Sequence, residues 1–339
     1  MVGKRDPSTL KSTIRKGRSL LKLAVQGRAR RRYDRGVATF LEWVLRRGPG
    51  ADVKEFRDLT FKIERGDYLT SDDISALDRV LSVFFDLTYF ADPLDTPDHP
   101  LFGRWECSEV FCGITDHIPE AKGRLPRSTR CLVAWSRESV PVRASPAPVV
   151  LVMGILGFAI NKKFYRFAIG IIFMFFGLLR PGEWFGVRFK HVSIDNVTVV
   201  SLDNTKTTRN KQNALEYAQI RDIGAIALLR HLCVLANLQQ DDLVWDGSSA
   251  YFRQCMDMAL IALEIPPTSF RLYSLRRGGA SHLIDHISME ALLLRGRWQS
   301  AKTARVYIES ARAEVVRSAF SDVTKGLLKM FSAKLKTLF

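Results

Sequence analysis

The sequence predicts a mainly α-helical protein with one small antiparallel sheet, arranged as two domains. Apolar residues recur at helical spacing along most of the chain, three short β-like pieces cluster between His191 and Ile220, and a Pro-rich segment from Pro141 to Pro148 reads as an interdomain linker. At 339 residues the chain can form two cored domains, and 47% hydrophobic content excludes a mainly disordered protein. A formal charge of +16 points to a polyanionic partner, either nucleic acid or an anionic membrane surface. Five cysteines at irregular spacing, with no apolar signal segment at Met1, point to a reducing compartment without a disulfide framework.

Residues 1–32 form a basic arm ending in Arg28-Ala29-Arg30-Arg31-Arg32, either a DNA-gripping or nuclear-address segment or a solvated basic helix. Residues 33–145 form the helical first domain. There Val37, Phe40, Leu41 and Val44 mark a helix that stops at Gly48-Pro49-Gly50. A second helix is predicted over Ser71 to Phe90, capped by Ser71 or Asp72, with Ile74, Leu77, Val80, Leu81 and Phe84 on one face. Cys107, Cys112 and His117 have the spacing of half a zinc site, but no second half follows, so a buried thiol pair is expected.

The second domain spans residues 146–320, with a tail over 321–339. It opens on two very apolar runs, Val149 to Ile160 and Phe167 to Leu179, separated by charged residues. Each is shorter than the roughly 20 residues a bilayer requires, so buried core helices are expected rather than a membrane hairpin. The second run stops at Arg180-Pro181-Gly182-Glu183, which puts Arg180 at the end of a core helix. Val197 to Leu202 and Leu215 to Ile220 flank a polar turn holding Lys206 and Lys211, a hairpin with a basic tip. Helices are predicted to follow from Ile223, Ser249, Ser274, Met289 and Thr303, the last running into an amphipathic, basic tail.

Arg180, Lys206, Tyr273, Arg276, Trp298 and Tyr307 are the candidate site residues. Guanidinium groups fork onto phosphate oxygens, an indole packs and donates one N–H, and a phenol can act as nucleophile. Singly, each has an ordinary reading: Arg180 as a cation at a helix end, Lys206 as a charged turn, Arg276-Arg277 as a solvated pair, Trp298 and Tyr307 as packing aromatics. His282 and His286 stand four apart as zinc ligands would, but no third ligand is in view.

Taken together, their order and spacing resemble those of the tyrosine recombinase (phage integrase) family, over roughly Pro148 to Phe320. Gly177-Leu178-Leu179-Arg180-Pro181-Gly182-Glu183 is similar to the family's Gly-Leu-Arg-x-x-Glu box, with one extra Leu. Thr205-Lys206-Thr207 is similar to its β2–β3 lysine motif, and Tyr273-Ser274-Leu275-Arg276 to its His-x-x-Arg box. Trp298 precedes Tyr307 by the family's nine residues. The departure is Tyr273, where the family usually has His; a phenol donates a hydrogen bond but does not share a proton near neutral pH as imidazole does.

The resemblance implies a two-domain clamp, a helical core-binding domain plus a mixed catalytic domain, around double-stranded DNA. It implies attack by Tyr307 on a phosphodiester to leave a 3′-phosphotyrosyl link. Arg180 and Arg276 would meet the developing charge, and Lys206, with Lys211 as competitor, would protonate the leaving 5′-oxygen; no metal or other cofactor is called for. It further implies a homotetramer on two DNA sites, an intracellular location with the DNA, and a tail that docks in a neighbouring subunit or packs on its own domain. Two rivals stand beside it: a non-catalytic DNA-binding protein of the same fold, and a membrane-associated basic protein.

Overall fold

The computed structural model describes residues 27–47, 53–65, 67–90, 103–138, 144–202 and 216–336, which divide into two compact units, one up to residue 142 and one from 143. Residues 1–26, most of the predicted basic arm, lie outside the described residues.

The first unit is built from α1 (Gly27–Arg47), α2 (Val53–Arg65), α3 (Ser71–Phe90), α4 (Arg104–His117) and α5 (Pro126–Glu138). The predicted apolar stripes on α1 and α3 are buried, because i, i+3, i+4 spacing sets them on one face. α1 crosses α4 with backbones almost touching: a Cβ on Gly113 would lie 2.7 Å from the Tyr33 carbonyl oxygen. Arg30–Asp116 and Arg32–Glu109 ion pairs, at 2.8 and 2.9 Å, flank the crossing. α3 is capped by Thr70 rather than by Ser71 or Asp72. Asp73 reaches back to the Thr70 N–H at 2.9 Å while the Thr70 hydroxyl accepts the Asp73 N–H at 3.2 Å, a reciprocal pairing that only the residue three before the acid can make. The expected buried thiol pair is not formed: Cys107 is buried and Cys112 exposed, since five residues turn a helix by about 140° beyond a full turn. His117 pairs with Asp34 at 2.9 Å. Among the described residues no group of three His, Cys, Asp or Glu could hold a metal ion.

In the second unit α6 (Val149–Asn161) and α7 (Tyr165–Phe175) are buried and apolar on nearly every side because other elements surround them. No helix among the described residues is long and apolar enough to cross a membrane. Beyond the short α8 (Pro181–Trp184), strands β1 (Val192–Ile194), β2 (Thr198–Leu202) and β3 (Glu216–Ile220) form an antiparallel sheet in the order β1-β2-β3, with Thr198 opposite Ile220 and Leu202 opposite Glu216. Lys206 and Lys211 fall between β2 and β3 and lie outside the described residues. Then come α9 (Ile223–Leu235), α10 (Ser249–Ala262), α11 (Leu272–Leu283), α12 (Met289–Gly296), α13 (Ala301–Arg305), α14 (Ser310–Ser318) and α15 (Asp322–Lys336).

The predicted continuous helix from Thr303 is therefore three, because the chain breaks after Arg305 and again after Ser318. α15 lies along α6 of its own unit, burying Leu328 and Phe331. The approach is possible because Gly154 and Gly157 carry no side chain; a Cβ on Gly157 would overlap the Phe331 carbonyl. Gly157→Ala should therefore destabilise the protein by about 1–3 kcal/mol. Gly326→Ala, exposed in the middle of α15 with nothing within 4 Å of the added carbon, should stabilise it by about 0.5–1 kcal/mol. Urea unfolding followed by circular dichroism measures both, and effects of the same sign would contradict the packing described.

Candidate active site

Arg276 sits in the second turn of α11. That helix lies so close to its surroundings that a Cβ on Gly278 would strike the Ala147 carbonyl and one on Gly279 the Phe175 carbonyl, which accounts for the paired glycines after the paired arginines. The helix begins earlier than predicted, at Leu272, with Arg271 as its cap residue. Ser274 is consequently its third residue and not the cap, and its hydroxyl accepts the Arg271 N–H at 3.0 Å. The Arg276 side chain is fully buried. Its Nη1 donates to the Leu178 carbonyl and its Nη2 to the Gly296 carbonyl at 2.6 Å, both oxygens freed by helix or loop ends. Its Cζ stands 4.9 Å from the Trp298 ring centroid and 5.4 Å from that of Tyr307. Among the described residues it makes no ion pair. Burial first, then the charges of Arg297 and Arg180, push its guanidinium down to about 9, so it is charged at neutral pH and has no counterion.

Arg180 is not at the end of the core helix. α7 stops at Phe175, Leu178 takes a left-handed φ of 50°, and Arg180 becomes the residue that opens α8, with Pro181 in the first helical position. Glu183, three residues on, accepts the Arg180 backbone N–H at 2.8 Å and its Nη1 at 2.5 Å. Burial works against the Arg180 charge, but Glu183 outweighs it and the guanidinium is raised overall. Burial likewise works against the Glu183 carboxylate, and Arg297 and Arg180 together hold it below the usual range. Arg297 meets Glu183 at 2.6 Å from beyond the end of α12.

Trp298 is buried and stacks obliquely on Tyr307, ring centroids 5.0 Å apart. Its indole folds over Gly296, where any Cβ would overlap the ring, and its Nε1 has no hydrogen-bond partner. Tyr307 follows α13 rather than lying within a helix that runs on from Thr303, its N–H bonded to the Ala304 carbonyl at 2.8 Å. α11 also holds this segment: Ser281 Oγ accepts the Glu309 N–H at 2.9 Å, and Arg277 pairs with Glu309 at 2.6 Å. Arg277 is thus a buried tether and not half of a solvated pair. Tyr273, 44% exposed, has its phenol raised by burial and by Tyr307, against the opposing charges of Arg180 and Arg276. Arg180, Tyr273, Arg276, Trp298 and Tyr307 therefore converge, drawn from the start of α8, from α11 and from the segments that flank α13.

No protein-family model matches the chain, and no curated protein matches it. Solved structures similar to it include the Tn1549 transposon integrase in complex with transposon right end DNA, which is 13% identical with a TM-score of 0.47 and covers 86% of this chain and 99% of its own. XerH site-specific recombinase bound to difH substrate is 12% identical with a TM-score of 0.40, covering 85% and 95%. XerA recombinase is 10% identical with a TM-score of 0.40, covering 84% and 97%.

Three residues of the site escape a reading of the sequence. Arg297 was visible only as a neighbour of Trp298, Glu216 only as a strand residue, and Glu309 only as an acid near Tyr307. All three are placed by ion pairs between elements far apart in sequence, which no local pattern signals. Chemically, the arrangement can grip an anion: two guanidiniums and an unpartnered indole N–H surround a phenol. Sulfate at about 50 mM, compared with chloride at equal ionic strength, should raise the melting temperature by about 5 °C if it binds with a millimolar Kd. Arg180→Gln should abolish most of that rise; an equal rise in the variant would show that sulfate binds elsewhere.

Proposed function

We propose that this chain is a tyrosine recombinase that cuts and rejoins double-stranded DNA through a 3′-phosphotyrosyl intermediate. The observation that carries the reading is the buried Arg276, held by two backbone carbonyls against the faces of Trp298 and Tyr307 without a carboxylate partner. A fixed cation lacking a counterion beside a phenol suits a site that receives an anion and attacks it.

In the proposed reaction the Tyr307 hydroxyl gives up its proton to solvent as its oxygen attacks the phosphorus, the P–O5′ bond breaks, and the departing 5′-oxygen takes a proton from Lys206 as general acid. The reverse attack by another 5′-hydroxyl reseals the strand with no net change in bond count. Arg180 and Arg276 meet the negative charge that builds on the non-bridging oxygens, and the Trp298 N–H donates to one of them. Tyr273 keeps its proton, because burial raises its phenol, and so serves as hydrogen-bond donor where an imidazole would also exchange protons. Binding to DNA rests chiefly on phosphate contacts from the basic surface, and assembly as a tetramer on two sites belongs to the same proposal.

The test uses a pool of random-sequence duplexes, each nicked just 3′ of one fixed phosphate so that the cleaved end diffuses away. The wild-type chain should form a denaturant-stable protein–DNA adduct in the presence of EDTA, and the recovered DNA defines the substrate. Tyr307→Phe should form none, and Arg276→Lys should form it ~10²–10³-fold more slowly. An adduct that survives in Tyr307→Phe, or no adduct from the wild type, would overturn the reading; in the second case a DNA-binding protein without strand cleavage takes its place.

A further inference from the structure

We infer that Arg297 is a positioning residue that ties Glu183, and through it Arg180, to Glu216 of the sheet, so that the anion-facing guanidinium of Arg180 is held in one geometry. The inference rests on reading the site as one that binds a phosphodiester. Arg297 has a left-handed backbone, φ 55° and ψ 40°, in which a side chain other than glycine's is disfavoured. Glycine would end α12 there without strain, yet the chain places its glycine one residue earlier, at Gly296, where Trp298 needs the room. The side chain that the strained position carries is only 6% exposed and lies between two carboxylates: Nη2 meets Glu183 Oε2 at 2.6 Å, and Nε stands 3.4 Å from Glu216 Oε2, close enough for ion pairing but without a hydrogen bond.

Glu183 meets Arg180 with its other oxygen at 2.5 Å. Arg180, Glu183, Arg297 and Glu216 therefore alternate in sign through three elements remote in sequence: the start of α8, the cap of α12 and the first residue of β3. The charges felt most by Arg297 are those of Glu183, Arg180 and Glu216, and its own charge is in turn the one that Arg276 feels most. A lone carboxylate would leave Arg180 free to swing on one contact. A carboxylate fixed from its far side by a buried guanidinium does not. Glu216 pairs across the ladder with Leu202, so the same chain of charges sets the sheet in register with Arg180.

The variants are Arg297→Gly, which removes the side chain and suits the left-handed backbone, Arg297→Lys, whose single ammonium cannot bridge both carboxylates, and Glu216→Gln, all in the full chain. Sulfate binding is read from the melting temperature as a function of pH, sulfate being chosen because it does not titrate in the range. Arg297→Gly should bind sulfate at least ~10-fold more weakly, with Arg297→Lys and Glu216→Gln intermediate. The acid limb should also move. The groups facing Glu183 are Arg180, Arg297, Arg276 and Tyr273; its carboxyl lies below the usual range in the wild type, so the paired state persists until the pH falls that low. Without Arg297 the carboxyl protonates at a higher pH and sulfate affinity is lost sooner on acidification. On the DNA recovered with the wild type, Arg297→Gly should cleave ~10²-fold more slowly with DNA affinity unchanged. Wild-type sulfate affinity and an unmoved acid limb in Arg297→Gly, or in Arg297→Lys should the glycine variant fail to fold, overturn the inference, as does a wild type that does not bind sulfate. A wild type that binds sulfate yet forms no DNA adduct overturns the recombinase reading, and the sulfate comparison still decides the role of Arg297.

Discussion

A guanidinium taken out of water without a counterion is the constraint around which the second unit is arranged. Moving such an ion into the protein costs several kcal/mol even after relaxation. Arg276 recovers part of this through two backbone carbonyls, each bond to a charged group contributing about 1.5–3 kcal/mol, and through two aromatic faces that contribute about 2 kcal/mol each when desolvated. The terms are of similar size, so the site tolerates the charge with little surplus. Under the proposed function an incoming anion would add to this balance.

Much of the local chain follows from that requirement. Leu178 adopts a left-handed backbone so that its carbonyl points at Arg276. Gly278 and Gly279 lack side chains so that α11 can lie against the Ala147 and Phe175 carbonyls, bringing the guanidinium within reach. Gly296 offers its carbonyl to Arg276 from one side and lies beneath the indole of Trp298 on the other. α11 also grips the Tyr307 segment through Ser281 and Arg277. One helix thus fixes both the cation and the phenol, which ties their separation to a rigid element and not to loop conformation.

The sequence disclosed the members of this site but not its joinery. Arg180, Arg276, Trp298 and Tyr307 were legible only together, through the order and spacing of the motifs that carry them. Where helices begin was read less well, as Thr70, Arg180 and Arg271 illustrate. In each case the true first residue is identified by a side chain three positions on, which folds back to it; the reading stopped at a more obvious polar residue for Thr70 and Arg271, and took Arg180 for the end of the preceding helix. Cys112 was misplaced because burial of Cys107 says nothing about a residue on another face. Arg297 could not be found at all: its role depends on a backbone conformation that arginine seldom adopts and on two glutamates distant in the chain.

The charge count of the finished site argues for what it receives. Arg180 and Arg297 pair with Glu183 and Glu216, and Arg276 pairs with neither, so one positive charge is left over. A phosphodiester carries one negative charge and would leave the site neutral. Attack by a phenolate adds a second negative charge to the five-coordinate phosphorus, and no described cation remains to meet it. Under the proposed reaction that charge leaves with the 5′-oxygen, and an ammonium that delivers a proton there cancels it at the moment it forms. Under that proposal the arginines suffice to hold the ground state, and a proton donor is called for in the transition state, the role proposed for Lys206.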